Sequence, residues 1–422
     1  MTRLATGLLA IVLTAPALMA QSAVEDRLTK IESEIKALRA ENDALRRQLA
    51  AVAPDAAVKP VANAAEEPAA GAPAVQSEPQ TLKRAGKEQR LQLGGLVQFQ
   101  GESGGRPDSR FGDDHDRMFL RRARLNASGK FDQRFEFKVE LDATGSLSNS
   151  TGMRVQLVDG YATWTKSTAL AIRMGQFKTP FGFEQLYSDQ QLPSIERTLG
   201  NDRLVPGRQL GAQLAGSGFD ERLSYAVGAF NGTGTNTNVN DGEGFLVAGR
   251  LASAVLRKPK SHEALLRVGI NAFRSNDRSV AVAPDFGIDS TPASPAVDDI
   301  FAGRRSAVGA DAQLSLGKVE LWTEMLRERF EPDSAVPRRT FDAKSWYVLA
   351  AAPLVGDKLQ GVVRYDSFDP NGSLSGDQTR SWLVGTNYYI KGHDLKLQLH
   401  YLRSDWAGKS DGRLIARFQT IF

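Results

Sequence analysis

The chain of 422 residues contains no cysteine, which excludes disulfide bonds and thiolate chemistry. Histidine is also scarce, with four residues, at positions 115, 262, 393 and 400. An enzyme site needs a nucleophile, a base and a group that orients the base, and four scattered histidines give little support for one. We therefore expect neither catalysis nor a cofactor. We also expect no metal site at His115, whose aspartate neighbours are typical of a solvated loop.

Two further absences narrow the class of protein. The formal charge is only +4, so the chain is not a polycation and binding to nucleic acid is not predicted. Beyond residue 20, no stretch approaches the roughly 18 consecutive apolar residues that a membrane-spanning helix needs. Any insertion into a membrane must therefore use strands.

Residues 1–20 have the pattern of an export signal. Arg3 precedes an apolar run at 4–18, and small residues follow up to Ala20 or Ala23. The run is short and contains Pro16, which favours a cleaved signal over the alternative of a retained membrane anchor. The mature chain is therefore predicted to leave the cytoplasm.

Residues 24–49 carry a heptad pattern. Apolar residues recur with 4-3-4-3 spacing, and Asn42 occupies one position of the series. With Asn42 at an a position, the e and g charges match in every pair, which are Arg27 with Glu32, Glu34 with Arg39, and Glu41 with Arg46. The segment is predicted to form a parallel coiled coil whose register is set by Asn42. The alternative is a single solvated amphipathic helix.

The composition changes twice after the heptad segment. Residues 50–89 are rich in Ala and Pro, and the prolines are spaced too closely for a helix, so a semi-extended linker is predicted. In residues 90–422, short segments of alternating apolar and polar residues are separated by clusters of Gly, Asn, Asp and Pro. FEFKVELD (135–142), for example, has one apolar and one charged face. The pattern predicts about sixteen strands.

Two all-β architectures compete for this pattern. A soluble sandwich buries its apolar faces together, whereas a transmembrane barrel turns them to lipid and leaves the charged faces to a wet lumen. The many charged faces favour the barrel. The last segment, RLIARFQTIF, ends at Phe422 and resembles the terminal signal by which outer-membrane barrels are recognised for assembly. We predict an all-β chain: a 16-stranded antiparallel β-barrel in the bacterial outer membrane, with an N-terminal coiled coil in the periplasm.

The segment 178–209 interrupts the strand pattern after the fifth strand. It contains more apolar residues than an exposed loop tip would carry, and these residues need a surface to pack on. A sixteen-stranded barrel is wide enough for an open channel, which a loop folded inward would narrow. The segment is therefore predicted to be the constriction loop, with charged residues Lys178, Glu184, Glu196, Arg197, Arg203 and Arg208.

Several motifs carry a resemblance to a known family: FLRRARLNASGKF (119–131), RMGQFKTPFGFEQL (173–186), IERTL (195–199) and GRQLGAQLAG (207–216). The order of GQFKTPF, ER and GRQLG is the most specific part. On these motifs, the chain resembles the phosphate-selective porin O and P family, more loosely after residue 255. The resemblance implies a trimeric sixteen-stranded barrel that passes anions, in which arginines along one wall lead phosphate toward lysines and an inward loop at the constriction.

Alternation places four basic side chains of the strands in the lumen: Arg122, Arg124, Lys138 and Arg173. Arginine stays charged and offers a fork of donors to phosphate oxygens, so a row of such residues lowers the barrier to anions. We predict passive diffusion of small anions, with phosphate or polyphosphate as candidate solutes. The alternative is a general, weakly selective porin, because acidic residues also point inward and Lys178 is the only lysine between residues 170 and 210.

The expected partners follow from this architecture. They are outer-membrane lipid, small anionic solutes, the barrel-assembly machinery and two further copies of the chain in a homotrimer. The coiled coil would serve as an oligomerisation device or as a tether to the cell wall. A mechanical or adhesive protein, with the helix and the linker as its working part, is the remaining alternative.

Overall fold

The computed structural model describes residue 36 and residues 80–84, 87–112, 114–131, 134–144, 154–257, 264–287, 299–333, 339–406 and 408–422. The predicted export signal and the heptad segment with Asn42 lie outside the described residues, apart from Lys36, which is helical. The fold described here is therefore that of the β-rich part of the chain.

The described residues form seventeen strands and two short α-helices. The strands are β1 (Gln80–Arg84), β2 (Lys87–Gly104), β3 (Arg117–Phe131), β4 (Phe135–Asp142), β5 (Gln156–Ser167), β6 (Leu170–Lys178), β7 (Arg208–Gly218), β8 (Leu223–Phe230), β9 (Leu246–Arg257), β10 (Ala264–Val282), β11 (Asp299–Leu316), β12 (Val319–Pro332), β13 (Phe341–Val355), β14 (Leu359–Asp369), β15 (Thr379–Lys391), β16 (Leu395–Trp406) and β17 (Lys409–Ile421). The helices are α1 (Phe183–Leu186) and α2 (Leu199–Leu204), with a 3₁₀ turn at Pro284–Phe286. None of the described helices is long and apolar enough to cross a membrane.

The strands β2 to β17 form a closed antiparallel barrel. Each strand pairs with the next along the chain, and β17 pairs with β2 to close the sheet. The prediction of a sixteen-stranded antiparallel barrel is therefore confirmed. The extra strand β1 pairs with the beginning of β2, so all of β1 and the first residues of β2 lie within the segment 50–89 that the sequence predicted to be a linker.

The two faces of the barrel wall differ as the alternation requires. Along β12, Leu321 and Met325 point outward and are 40% and 63% exposed, whereas Trp322 and Glu324 point inward and are 1% exposed. The burial patterns of β13, β15 and β16 alternate in the same way. Apolar side chains thus cover the outside and polar ones line the inside, which is the arrangement of a transmembrane barrel and excludes a sandwich.

The connections between strands are short at one end of the barrel and mostly long at the other, which we call the loop end. Long connections include 105–116, 231–245 and 370–378. Strands β10 and β11 reach further toward the loop end than the sequence indicated, because they stay paired as far as Val282 and Asp299. By composition, the Gly, Asn, Asp, Ser and Pro residues of 275–303 favour a loop. The extension is held by pairing between the two strands and by the burial of Val280, Val282 and Phe301, so composition misses it.

The last residue closes the barrel against the first barrel strand. The Gly95 amide donates a hydrogen bond of 2.7 Å to the Phe422 carbonyl, and the Phe422 amide donates one of 3.1 Å to the Gly95 carbonyl. The Phe422 ring covers Gly95 so closely that a Cβ at residue 95 would lie 2.3 Å from it. Phe422 remains 57% exposed at the barrel edge.

Candidate functional site

Residues 179–207, which connect β6 to β7, form the segment that we call the inward loop. Phe181 packs against Phe273 of β10, with ring centroids 4.8 Å apart. Phe183 packs against Trp322 of β12, with centroids 5.2 Å apart. These aromatic contacts fix the first part of the inward loop to the inner face of the wall.

Glu196 fixes the inward loop to a different part of the wall. Its carboxylate pairs with Arg121 of β3 at 2.8 Å and with Arg417 of β17. Its carbonyl accepts a hydrogen bond of 2.6 Å from Arg364 of β14. Only a segment inside the barrel can contact the inner faces of strands spread from β3 to β17, so the loop crosses the lumen. Burial alone would raise the pKa of Glu196, but the charges of Arg121 and Arg417 outweigh it and hold the pKa well below its ordinary value.

Asp189, which precedes Glu196 in the inward loop, also binds β3. It lies 2.9 Å from both Arg122 and Arg124 of β3. Burial would raise the pKa of Asp189, but the charges of these two arginines, together with Arg197 and Lys178, hold it well below its ordinary value. The inward loop is therefore held by charged pairs whose acidic partners stay ionised at neutral pH.

The interior of the inward loop is apolar and hydrogen-bonded. Its buried apolar side chains are Phe181, Phe183, Leu192, Ile195, Leu199 and Leu204, and each contributes about 1.5–3 kcal/mol when fully buried. The Glu184 carboxylate accepts hydrogen bonds of 3.0 and 2.8 Å from the amide and hydroxyl of Thr198, which caps α2. Glu324 of β12 accepts from the amides of Phe183 and Glu184. The loop is thus a packed element with its own caps.

A β-bulge explains why one of the anchoring arginines escapes a simple alternation argument. Strand β3 shifts register against β2 between the pairs Gln98–Arg122 and Phe99–Leu120. The extra residue is Arg121. Because of the bulge, the side chains of Arg121 and of its neighbour Arg122 both reach the inward loop. Strict alternation would turn Arg121 outward, and no sequence signal marks the bulge.

Replacing Glu196 with glutamine is expected to lower the stability of the barrel by about 3–5 kcal/mol, because the buried Arg417 and the half-buried Arg121 would lose the carboxylate that pairs with both. Denaturant unfolding in detergent micelles measures this change. Since the pKa of Glu196 is depressed in the fold, its contribution is present above the ordinary carboxyl pKa of about 4 and is lost as the pH falls through the lower folded value.

Glu331 provides a matched control for this prediction. It also lies between two arginines, Arg304 at 3.4 Å and Arg329 at 3.2 Å, but its side chain is 36% exposed. Glu331→Gln is expected to cost less than about 1 kcal/mol. Equal small losses for the two variants would contradict an anchoring role for Glu196.

Beside the inward loop, the lumen keeps a cavity of about 500 Å³. Its walls are the inner faces of strands from β3 to β9 and one side of the loop. Six basic side chains line it: Arg124, Lys138, Arg173, Lys178, Arg208 and Arg250. Three acidic ones do so too: Glu140, Asp159 and Asp189. The lining thus has a formal charge of +3, six positive against three negative.

Most of these cations are already paired. Lys138 contacts Glu140 at 2.7 Å and Asp159 at 3.0 Å. Arg124 pairs with Glu140, Asp142 and Asp189, Arg208 with Asp159, and Arg250 with Asp311. Since Asp142 and Asp311 stand behind the lining, the field in the cavity is weaker than the formal count indicates.

Arg173 and Lys178 differ from the other four basic residues. Arg173 donates a hydrogen bond of 3.1 Å to the Thr163 hydroxyl and lies over the Tyr161 ring, with 4.2 Å between the guanidinium carbon and the ring centroid. Lys178 donates to the Tyr187 carbonyl at 3.1 Å. Neither makes an ion pair with a carboxylate among the described residues. They are therefore the basic groups best placed to meet an anion.

The sequence-predicted residues divide into two groups in the structure. Arg124, Lys138, Arg173, Lys178 and Arg208 line the cavity. The others hold the inward loop: Arg122 and Glu196 through ion pairs, Glu184 through the cap of α2, Arg197 through the Glu184 and Tyr187 carbonyls, and Arg203 through Asp285 at 2.9 Å.

Sequence reasoning missed Arg250, which lies in the cavity wall on β9. A signal for it exists, because in FLVAGRLA the exposed Val247 and Leu251 share one face and Arg250 falls on the other. It also missed Arg364, Lys396 and Arg417. Each of them donates a hydrogen bond to a backbone carbonyl of the inward loop.

Known structures share this fold. OmpT of Vibrio cholerae, solved in a trimer form, matches with a TM-score of 0.57 at 9% identity, covering 79% of this chain and 99% of OmpT. An anion-selective porin from Comamonas acidovorans matches with 0.57 at 14% identity, covering 79% of this chain and 100% of that porin. The outer-membrane channel DcaP of Acinetobacter baumannii matches with 0.54 at 13% identity, covering 81% and 99%. At such identities these likenesses show the fold alone.

The sequence itself places the chain in a family. No curated protein matches it by sequence. A family model described as phosphate-selective porin O and P matches residues 98–411, which is most of the barrel. The closed barrel, its inward loop and the water-accessible cavity are the parts that a diffusion channel requires. The chain belongs to the phosphate-selective porin O and P family of channel proteins.

Proposed function

We propose that this protein is a bacterial outer-membrane channel that passes small anions by passive diffusion along the cavity beside the inward loop, with phosphate or polyphosphate as candidate solutes. The observation that carries the proposal is Arg173, a permanently charged group that lines the cavity without a carboxylate partner among the described residues. The family to which the chain belongs supports the same direction of selectivity.

The chemistry of the cavity suits transient binding of an anion. The Arg173 guanidinium is held flat by the Tyr161 ring, so the edge that carries its donors is oriented before an anion arrives. Lys178 adds a second nitrogen donor at the junction of β6 and the inward loop. The paired cations around them can exchange a carboxylate for a passing anion. Several moderate sites allow an anion both to bind and to leave, which conduction requires.

A general, weakly selective porin is the second candidate. The three acidic side chains of the lining favour it, because Glu140, Asp159 and Asp189 pair with three of the six basic ones. Basic and acidic groups facing one passage create a transverse field without a strong preference for either sign of ion.

Reversal potentials distinguish the two candidates. The purified channel is recorded in planar bilayers under a potassium chloride gradient, and phosphate is then titrated into both chambers. Anion selectivity together with block of the chloride current by low phosphate is expected. Anion selectivity without phosphate block would retain the anion channel and remove phosphate as its solute. Near-equal permeability to potassium and chloride would establish the general porin.

We further propose that three copies assemble, and that residues 24–49 support this assembly from the periplasm. The heptad charges and Asn42 favour parallel association, and one protein of like fold, OmpT, is described in a trimer form. The exposed ring of Phe422 at the barrel edge would be the contact for the assembly machinery.

Deleting residues 24–49 is expected to weaken the oligomer while leaving the single-channel conductance unchanged, because the lining of the cavity, as far as the structure describes it, comes from the barrel and its inward loop. Sedimentation in detergent measures the first effect and bilayer recording the second. A folded variant that no longer conducts would place the heptad segment in the pore instead.

A further inference from the structure

The outer surface of the barrel carries a groove of about 1220 Å³ over strands β8 to β13. Small outward residues, Gly249, Ala272 and Ala310, form part of its lining. Bulkier neighbours protrude further from the barrel wall, among them Ile270 and Met325, which are 60% and 63% exposed. The groove is therefore a depression in the apolar band of the barrel.

Three cations line the same groove toward the loop end: Arg274, Arg327 and Lys344. Arg327 and Lys344 are direct partners in the pairing of β12 with β13. Like charges directly opposite on one sheet face repel each other, and one acidic neighbour, Asp342, relieves this by contacting Arg327 at 2.7 Å. Lys344 and Arg274 form no ion pair with any residue in the described part of the chain. This end of the groove thus holds uncompensated positive charge.

Aromatic residues mark the depth of the cationic end. Trp346, two residues from Lys344, lines the groove and is 41% exposed. It contacts Tyr365, at 5.4 Å between ring centroids, and Tyr365 contacts Trp382 at 4.8 Å. Outward aromatic rings of this kind occupy the boundary between hydrocarbon and headgroups. The cations beside Trp346 therefore lie at the level of lipid headgroups.

We propose that this groove is a binding site for one anionic membrane lipid from the leaflet at the loop end. Its acyl chains lie along the apolar floor, and its phosphate-bearing headgroup is held by Arg274, Arg327 and Lys344. Lipid chains match an apolar lining, and a phosphate supplies the counter-charge that the groove lacks. The site faces away from the cavity, so the proposal is independent of which solute the channel passes.

Native mass spectrometry of the purified oligomer tests the headgroup part of the site. The probes are phosphatidylglycerol and phosphatidylcholine with identical acyl chains, each added to the detergent-solubilised protein. The wild type is expected to retain phosphatidylglycerol in preference. The triple variant Arg274→Gln, Arg327→Gln, Lys344→Gln is expected to lose about fivefold in phosphatidylglycerol retention for each cation removed.

A matched triple variant removes the same charge from the outer surface without touching the groove. Arg304, Arg380 and Arg403 are exposed residues near the loop end that lie outside the lining. Their replacement by glutamine is expected to leave phosphatidylglycerol retention within about twofold of wild type, since surface charges act weakly on a lipid held elsewhere. Equal losses in both triple variants would overturn the proposal in favour of general surface attraction.

A third variant tests the apolar part of the groove. At Gly249 an added Cβ would lie 3.5 Å from its nearest neighbour, the Ala226 carbonyl oxygen, which is ordinary contact, so Gly249→Leu fills the groove without strain. It is expected to reduce retention of both lipids. Unchanged retention in Gly249→Leu would overturn the proposal. So would dissociation of the oligomer in the groove variants with lipid retention intact, because the groove would then be a contact between copies.

Discussion

Replacing Arg173 with glutamate is expected to move the reversal potential of the channel from the anion side toward the cation side. The substitution changes the cavity lining from six basic and three acidic residues to five and four. We expect the chloride-to-potassium permeability ratio to fall about tenfold, or about 1.4 kcal/mol. For comparison, two unit charges 4 Å apart interact by roughly 4 kcal/mol at an effective dielectric constant of 20. The expected change in selectivity is a modest part of that energy.

Two further variants show whether the effect belongs to the cavity. Arg173→Lys keeps the charge but loses the planar contact with Tyr161, and it is expected to keep anion selectivity while weakening phosphate block. Arg304→Glu makes the same change of charge on the outer surface, where the side chain is 51% exposed. If Arg304→Glu shifted the reversal potential as far as Arg173→Glu, selectivity would arise from the overall charge and not from the cavity.

Gly200→Ala is expected to push α2 off the barrel wall and to raise the single-channel conductance. A Cβ at residue 200 would lie 1.9 Å from the Ser345 hydroxyl oxygen and 2.2 Å from the Ser345 Cβ. Both atoms belong to the rigid wall, so the loop must move. Overpacking of this kind costs about 1–3 kcal/mol, and a displaced loop widens the passage that it now narrows. Bilayer recording measures the conductance.

The clash can be relieved from the opposite side. Removing the Ser345 side chain in Gly200→Ala, Ser345→Gly leaves Phe368 as the nearest atom group, at 3.3 Å, and is expected to restore the wild-type conductance. Gly218→Ala is a neutral control, because an added Cβ there meets nothing within 4 Å. Wild-type conductance in Gly200→Ala would show that the position of α2 does not set the width of the passage.

The sequence was most informative wherever one local rule was sufficient. Side chains of a strand alternate between two faces, so Lys138 and Arg173 could be assigned to the lumen from their neighbours alone. The apolar residues of the segment 178–209 indicated that it packs on a wall, and Phe181 and Phe183 do so. Arg250 obeys the same alternation and could have been found in this way.

The alternation of side chains failed as a guide where a bulge changed the register between two strands. The bulge in β3 lets Arg121 and Arg122 both reach the inward loop. A bulge depends on the register between two strands, and register is a property of the assembled sheet. Strand length was underestimated in β10 and β11 for a related reason, since their ends are held by cross-strand pairing and by the burial of Val280, Val282 and Phe301 in the assembled barrel.

The sequence by itself determined the class of the protein: alternating strands, an apolar outer face and an interrupting segment rich in apolar residues. Only the tertiary structure decided which cations remain free. Glu196 meets Arg417 across 221 positions of sequence, and Arg364 reaches its carbonyl across 168. Such contacts are set by barrel closure and by the path of the loop, and no spacing rule in the chain encodes them. The few basic groups that lack a carboxylate partner among the described residues, Arg173 above all, therefore emerge only once every other described charge has been placed.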